Sequence, residues 1–207
     1  DQDVTKIDFD GQTKQVEAYN DFIQNRSADY DWVAFLDIDE FLVLNQHRDV
    51  KHFINDYSEF EAVGINWKLF GDNGLTNIVD GNYNVLSRFK MAQNGLNPHI
   101  KTIVKLGNPD LYMYVHGPSS NIKVVGTDKE VITDEHNQLN ENGLYDIAQI
   151  NHYFVKTKPE FIKKIARGRA GDFGFKELSN FETHNTNDIK DLSIFLYLLK
   201  KLTRENL

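Results

Sequence analysis

The sequence has no cysteine among its 207 residues. A disulfide framework, a thiolate metal site and a cysteine nucleophile are therefore excluded, which favours a reducing, cytoplasmic setting. Basic residues are in the minority, since 23 Lys and Arg face 31 Asp and Glu and give a formal net charge of −8. Nucleic-acid binding needs a basic stripe, so this balance argues against such a partner. It does not exclude a small phosphorylated ligand, because a bound metal can invert the local charge.

Apolar runs long enough to cross a membrane are absent as well, and no signal peptide is recognisable. With 207 residues, 40% of them hydrophobic, the chain fits one domain, 1–207, with a sizeable core. The sequence begins without Met, and residues 1–9 have the pattern of the tail of a strand or loop. We therefore expect the chain to start within a domain.

Helical and extended patterns alternate along the chain, which predicts an α/β fold. The apolar run at 32–36 is typical of a buried parallel strand. The stretch 81–133 shows strands without helices and predicts a mixed or antiparallel edge. For the apolar face of the last helix we expect core packing, with a membrane-surface or partner helix as the alternative. The predicted helices are 14–26, 50–57, 159–169 and 188–204, and the predicted strands are 32–36, 62–70, 83–89, 99–106, 121–125 and 147–155.

The most informative segment is Asp37-Ile38-Asp39-Glu40, directly after the apolar run. Carboxylates at the end of an apolar strand are costly unless a positive group accompanies them. The crevice at the carboxyl ends of the strands in an open α/β sheet is where ligands bind. Two Asp separated by one residue suit a divalent cation that in turn holds phosphate oxygens.

Several chemistries use carboxylates at this spacing. An EF-hand loop needs further oxygen ligands where Phe41 and Leu42 stand, so that interpretation fails. A phosphatase of the haloacid-dehalogenase type also has Asp-x-Asp after an apolar strand, but a small residue is expected at the position of Phe41. A metal-binding Asp-x-Asp of a nucleotide-sugar glycosyltransferase is the third interpretation. Acidic residues that cap a following helix are the purely structural one.

Three segments resemble one family. Residues 30–42, YDWVAFLDIDEFL, resemble the Asp-x-Asp-Glu-Phe segment of family-2-like glycosyltransferases of the GT-A fold, most closely the subgroup related to family 92. Residues 65–74, INWKLFGDNG, are similar to its Asn-Trp-x-x-Phe-Gly segment. Residues 150–157, INHYFVKT, with Arg-Gly at 167–168, are similar to its Asn-His-Tyr-x-x-Lys segment. The resemblance covers about 14–170 in the family's order.

The resemblance implies an α/β, GT-A-like (Rossmann-like) mixed sheet flanked by helices, with a C-terminal helical extension over 170–207. Family members begin with a strand, a helix and a strand that carry an early acidic residue for the nucleotide base. No such segment precedes Lys14, so we expect the N-terminal part of the fold to be lacking.

The resemblance also implies a donor site with a divalent cation, Mn²⁺ or Mg²⁺. Asp39 is the expected direct ligand, Asp37 reaches the ribose or the metal, and His152 is the candidate third ligand. All-oxygen ligation suits these ions, and a third protein ligand from a distant His is common in GT-A enzymes. Cations suit a diphosphate, and the donor-binding candidates beside Asp37 are Lys156, Arg167 and Arg169. A solvated basic helix face, of which Lys163 and Lys164 are examples, is the plainer explanation for those three.

An inverting transfer needs a general base for the acceptor hydroxyl. The main candidates are Asp72 and Glu40, with His116 and Asp134 as further ones, and Trp67 is the candidate for stacking on an acceptor sugar. A turn role for Asp72 and a core role for Trp67 and His152 are the structural alternatives.

The sequence thus predicts a metal-dependent glycosyltransferase that moves a sugar from a nucleotide-diphosphate donor to a saccharide or lipid-linked acceptor, with inversion. The alternative is a truncated or degenerate domain that binds a saccharide or a partner without catalysis. The setting implied by the subgroup is bacterial polysaccharide assembly, in the cytoplasm or at the inner membrane face, and a peripheral membrane contact is left open.

Overall fold

The computed structural model describes residues 4–11, 13–78, 84–168 and 177–204. The helices in these ranges are α1 Gln15–Asn25, α2 Val50–Asn55, α3 Val85–Arg88, α4 Lys158–Arg167, α5 Ser179–His184 and α6 Ser193–Arg204. The strands are β1 Trp32–Ala34, β2 Glu40–Leu44, β3 Ala62–Leu69, β4 Met91–Ala92, β5 Ile100–Lys105, β6 Val124–Val125, β7 Ala148–His152 and β8 Ile189–Lys190.

Strand β3 is the centre of a curled mixed sheet with the order β1-β5-β3-β7-β2. On one side β3 pairs with β5 in the antiparallel direction. On its other side it pairs in the parallel direction with β6 near its start and with β7 near its end. β1 extends the sheet beyond β5, and β2 extends it beyond β7, both antiparallel. The prediction of an α/β fold with a GT-A-like mixed sheet flanked by helices is confirmed.

The prediction of a buried parallel strand at 32–36 is wrong. β1 is an antiparallel strand at one end of the sheet, and its residues are half-buried or exposed. Trp32 packs against one core cluster, whereas Val33 and Phe35 pack against another. The unbroken apolar run therefore reflects side chains that pack on both faces of the strand, and it carries no information on strand direction.

Two core clusters cover the two faces of the sheet, because side chains alternate between faces along a strand. The members of the first core cluster are Leu44, Phe53, Tyr57, Val63, Ile65, Ile103, Val125, Ala148 and Ile150. The second core cluster contains Ala62, Ile100, Val104, Leu111, Met113, Ile122, Val124 and Ile132.

Two other regions differ from the prediction. Where a strand was predicted over 83–89, the chain forms the short helix α3. The Asn84 side chain caps this helix by accepting hydrogen bonds from the backbone N–H groups of Leu86 and Ser87. Part of the predicted strand lies outside the described residues. Strand β2 was not predicted, because residues 40–44 lie between the predicted strand 32–36 and the predicted helix 50–57. β2 forms because it completes the sheet beside β7 along five residue pairs.

The last helix begins later than predicted and turns most of its leucines outward. Residues 189–190 form β8, which pairs with β4, so the segment over 170–207 is not purely helical. Helix α6 buries Ile194, while Leu196 and Leu199 remain 58% and 57% exposed. The expected core packing of the leucine face is therefore wrong. Among the described helices, none has both the length and the apolarity needed to cross a membrane.

Helix α4 is fixed at its N-terminus by a capping box. The Thr157 side chain accepts from the Glu160 N–H, and the Glu160 carboxylate accepts from the Thr157 N–H. The same carboxylate forms a two-pronged ion pair with buried Arg88, with N–O distances of 2.7 and 2.9 Å. These contacts hold the rotational position of α4 against the body of the protein.

We expect Thr157→Ala to lower the free energy of unfolding by about 1 kcal/mol more than Thr157→Ser, because both remove the buried methyl group but only Ala removes the capping oxygen. Urea denaturation of the two variants beside the parent chain measures this difference. Equal losses for both variants would show that the cap contributes nothing.

Candidate active site

Four side chains meet on one face of the sheet at one end of its strands: Lys101 of β5, Trp67 of β3, His152 of β7 and Glu40 of β2. Each stands an even number of residues from members of the first core cluster in its own strand. Alternation therefore places all four on the face that carries that cluster. Glu40 and His152 are direct partners in the β2–β7 ladder. The apolar face of the sheet thus ends in a buried polar cluster.

The 37–40 turn connects β1 to β2, which lie at opposite ends of the sheet. The Glu40 N–H donates to the Asp37 carbonyl, and the Asp37 N–H donates to the Glu40 carboxylate, both at 2.9 Å. The Tyr153 N–H donates to the Asp39 carbonyl at 2.9 Å. These three bonds fix the directions in which the Asp37 and Asp39 side chains leave the backbone.

Asp39 is buried and surrounded by positive groups. Its Oδ2 lies 2.7 Å from the Lys164 ammonium and 3.9 Å from that of Lys156, and its Oδ1 lies 3.8 Å from His152 Nε2. Burial alone would raise the pKa of Asp39, but the charge and hydrogen bond of Lys164, with the charge of Lys156, outweigh that effect and lower the pKa. Asp39 is therefore an ionised anchor for lysine side chains.

Asp37 is more open, with 37% of its side chain exposed. Its Oδ1 accepts a 2.6 Å hydrogen bond from Gln15 of α1, and its Oδ2 lies 3.5 Å from the Lys101 ammonium. Lys101 is 2% exposed and donates to the Val115 carbonyl at 2.8 Å. It also lies 3.6 Å from the Glu40 carboxylate. Lys101 therefore links the turn to the loop that contains Val115.

Glu40 has a fully buried side chain. Its Oε1 has no hydrogen-bond partner within the described residues. Burial raises the pKa of Glu40 to about 7, and the Lys101 charge opposes the rise only in part. The carboxyl thus titrates near neutral pH, although a substrate cannot contact it in this conformation.

Trp67 and three imidazoles form an aromatic cluster. The indole stacks on His99 at 5.1 Å between ring centroids and makes edge contacts with His116 at 4.9 Å and His152 at 4.3 Å. Burial lowers the pKa of His116 to about 4 and that of His152 well below its usual value. These two imidazoles are therefore neutral, and Trp67 supports His152. Its role toward an acceptor sugar stays a prediction.

The predicted metal ligands are only partly brought together. Asp39 and His152 approach each other to 3.8 Å, but Asp37 is engaged by Gln15 and Lys101. Across the described ranges, no group of three or more acidic or imidazole side chains is placed to hold a metal ion. Lys164 of α4 contacts Asp39 Oδ2, an oxygen that a metal ion would need as a ligand. As arranged, the residues do not fit a three-ligand Mn²⁺ or Mg²⁺ site, whose existence stays a prediction.

Beside Asp39 lies a basic pocket of about 230 Å³. We use the name basic pocket for the space lined by Val155, Lys156, Glu160, Lys163, Lys164 and Arg167. Its one acidic residue, Glu160, is neutralised by the ion pair with Arg88. Burial alone would raise the pKa of Glu160, but the hydrogen bonds from Arg88 and Thr157 outweigh that effect and lower the pKa to about 2. The pocket is therefore strongly cationic in a chain of net charge −8.

The remaining candidates have other surroundings. Both carboxylate oxygens of Asp72 accept hydrogen bonds, from the Gly74 N–H and from the side chains of Asn185 and Asn187. Asp134 accepts from the backbone N–H groups of His136 and Gln138. Both carboxylates therefore organise loops, and a base role for Asp72 stays a prediction. Arg169 lies outside the described residues, whereas Arg167 and Lys156 line the basic pocket as predicted donor-binding residues.

Sequence reasoning passed over Lys164, Lys101 and Gln15. Lys164 stands three positions after buried Phe161 and therefore on the inward side of α4, whereas Lys163 is exposed. Lys101 shares a strand face with the apolar Ile103, and a lysine at such a position is a signal of a buried charge with a partner. No comparable signal marks Gln15, which reaches Asp37 from a helix 22 positions earlier in the chain.

Glu40 gives the protein a specific pH dependence. Its pKa is about 7 when folded and near 4.5 when unfolded, so the native state binds more protons between these values and stability falls as the pH rises. We expect Glu40→Gln to gain stability relative to the parent by on the order of 3 kcal/mol between pH 4.5 and pH 8. Urea unfolding at both pH values measures it. A constant difference would show that folding does not raise the pKa of Glu40.

The comparison with protein families agrees with the resemblance found in the sequence. The family model described as glycosyltransferase family 92 matches residues 6–167, which include the 37–40 turn, β7 and all of α4. No curated protein matches the chain. Because the match spans most of the sequence, the chain belongs to glycosyltransferase family 92.

Proposed function

We propose that this family 92 chain transfers a sugar from a nucleotide-diphosphate donor to a saccharide or lipid-linked acceptor, with inversion, and that the basic pocket binds the donor diphosphate. The family supports glycosyl transfer, and the observation that carries the finer proposal is the cationic pocket adjoining Asp39 in an acidic protein. Guanidinium and ammonium groups suit phosphate oxygens because charge-assisted hydrogen bonds to them are strong.

In the proposed transfer the bond between the sugar carbon and the diphosphate oxygen breaks, and its electron pair remains on that oxygen. The acceptor hydroxyl oxygen bonds to the same carbon, and its proton passes to a general base, for which Asp72 stays the candidate. The developing charge on the diphosphate needs preorganised positive groups. Lys156, Lys164 and Arg167 are the residues that supply them at the basic pocket.

Lys156 contributes to the pocket in a constrained backbone conformation. Its φ of 56° lies in the left-handed region, which non-glycine residues rarely adopt. Burial lowers the pKa of Lys156, while Asp39 opposes that effect. Such strain persists where the surroundings impose it, commonly at ligand sites. The conformation therefore supports a donor-binding role for this lysine.

The acidic residues of the turn have supporting roles in this proposal. Asp39 positions Lys164 and Lys156, and Asp37, the most open of the acids, faces the donor ribose. Glu40 is buried and accepts from the Asp37 N–H, so we assign it to support of the turn rather than to proton abstraction. We assign these different roles because Asp37 is partly exposed whereas Asp39 and Glu40 are buried.

We expect Asp39→Asn to reduce turnover by about 100-fold, because two lysines lose the charge that positions them. The measurement is nucleoside diphosphate release from a panel of uridine- and guanosine-diphosphate sugars with a saccharide acceptor. Ile38→Ala is the matched control, since Ile38 is 91% exposed and lies between the two aspartates. Full activity of Asp39→Asn would contradict the proposal. Donor binding without turnover by the parent chain would favour the non-catalytic alternative.

We also propose that the leucine face of α6 rests on an anionic membrane surface. Leu196, Leu199 and Leu202 are more than half exposed on a helix that contains no acidic residue. Lys200 and Lys201 are exposed on the same helix. Leucines that enter the interface and lysines that face anionic headgroups are the pattern of an interfacial helix.

We expect the parent chain to sediment with vesicles of phosphatidylcholine and phosphatidylglycerol, and Leu199→Glu to reduce the bound fraction because it places a charge in the apolar interface. Leu144→Glu, at a similarly exposed leucine outside α6, is the control and leaves the bound fraction unchanged. Equal binding of Leu199→Glu, or self-association of the chain through this face without vesicle binding, would refute the membrane contact.

A further inference from the structure

The Lys164 ammonium group is fixed by several contacts with its surroundings. Its ammonium donates to Asp39 Oδ2 at 2.7 Å and to the Phe154 carbonyl at 2.9 Å, and it lies 4.2 Å from the centre of the Phe154 ring. Its side chain is only 12% exposed. The capping box of α4 and the Arg88–Glu160 pair set the helix that carries it. The remaining exposed part of Lys164 faces the basic pocket.

Each acidic side chain of the turn already has an ammonium neighbour. Three carboxylates, of Asp37, Asp39 and Glu40, face three ammonium groups, of Lys101, Lys156 and Lys164. A divalent cation at Asp39 would have to displace the Lys164 ammonium from Oδ2. The basic pocket next to it adds Lys163 and Arg167, two positive charges beyond those that Asp39 pairs, and so favours an anion.

We infer that Lys164 takes the place of the divalent cation, so that the donor diphosphate binds in the basic pocket without a metal. Asp39 holds the lysine in position, and Lys156 and Arg167 contact the remaining phosphate oxygens. This inference rests on the proposed function, since it names how the same pocket binds its anion. It assigns to a fixed ammonium group the charge neutralisation that the sequence motif attributes to Mn²⁺ or Mg²⁺.

The experiment is calorimetric titration of the purified chain with inorganic pyrophosphate, once with EDTA and once with Mn²⁺. We expect binding in EDTA and a loss of about tenfold or more in affinity for Lys164→Met, the scale of one charge-assisted hydrogen bond. Lys163→Met is the matched control, because Lys163 lines the same pocket but is exposed on the outer side of α4. We expect this variant to lose less affinity for pyrophosphate than Lys164→Met. Lys164→Arg keeps the charge, and we expect it to retain metal-free binding.

Circular dichroism of each variant shows whether the fold is kept, and the arginine variant tests the inference if the methionine variant unfolds. Pyrophosphate binding that requires Mn²⁺, with affinity unchanged in Lys164→Met, would overturn the inference. Sugar transfer that occurs only with Mn²⁺ would overturn it while leaving the proposed function intact. Metal-free pyrophosphate binding without any turnover of nucleotide sugars would leave the inference standing and contradict the proposed function.

Discussion

The ion pair between Asp39 and Lys164 is the interaction on which the site depends. It connects the 37–40 turn with a helix more than a hundred residues later and has little contact with water. Removing one partner of a buried pair leaves an uncompensated charge and costs on the order of 3–5 kcal/mol. Asp39 is thus paired with Lys164 in the absence of a ligand, and this pair fixes the position of Lys164 in the lining of the basic pocket.

The sheet explains why these groups can meet. Its central strand pairs in the antiparallel direction on one side and in the parallel direction on the other, and the 37–40 turn joins the two outermost strands, β1 and β2. Lys101, Trp67, His152 and Glu40 come from four different strands, yet alternation puts them all on one face. The first core cluster fills the rest of that face, so the polar end is supported by close packing.

Much of this arrangement could be predicted from the sequence, and the failures have physical causes. Periodicity identified α1, β3, β5, β7 and α4, because each buries a defined set of side chains. It misjudged the direction of β1, since apolar runs report packing on both faces rather than strand pairing. It also expected the leucines of α6 to be buried, although amphipathicity does not say which face is covered. The motifs indicated that Asp39 and His152 lie close together, and they are 3.8 Å apart. Charge partners such as Lys164 depend on tertiary contacts that no local pattern encodes.

The central claim is that Asp39 and Lys164 act as one unit in binding a diphosphate. A double-mutant cycle measures this directly, with pyrophosphate affinity determined in EDTA for the parent chain, Asp39→Asn, Lys164→Met and the double variant. If the two residues form one unit, the double variant binds no more weakly than Lys164→Met, and the coupling exceeds about 1 kcal/mol. Losses that simply add would contradict the account, because each residue would then affect the anion independently of the other.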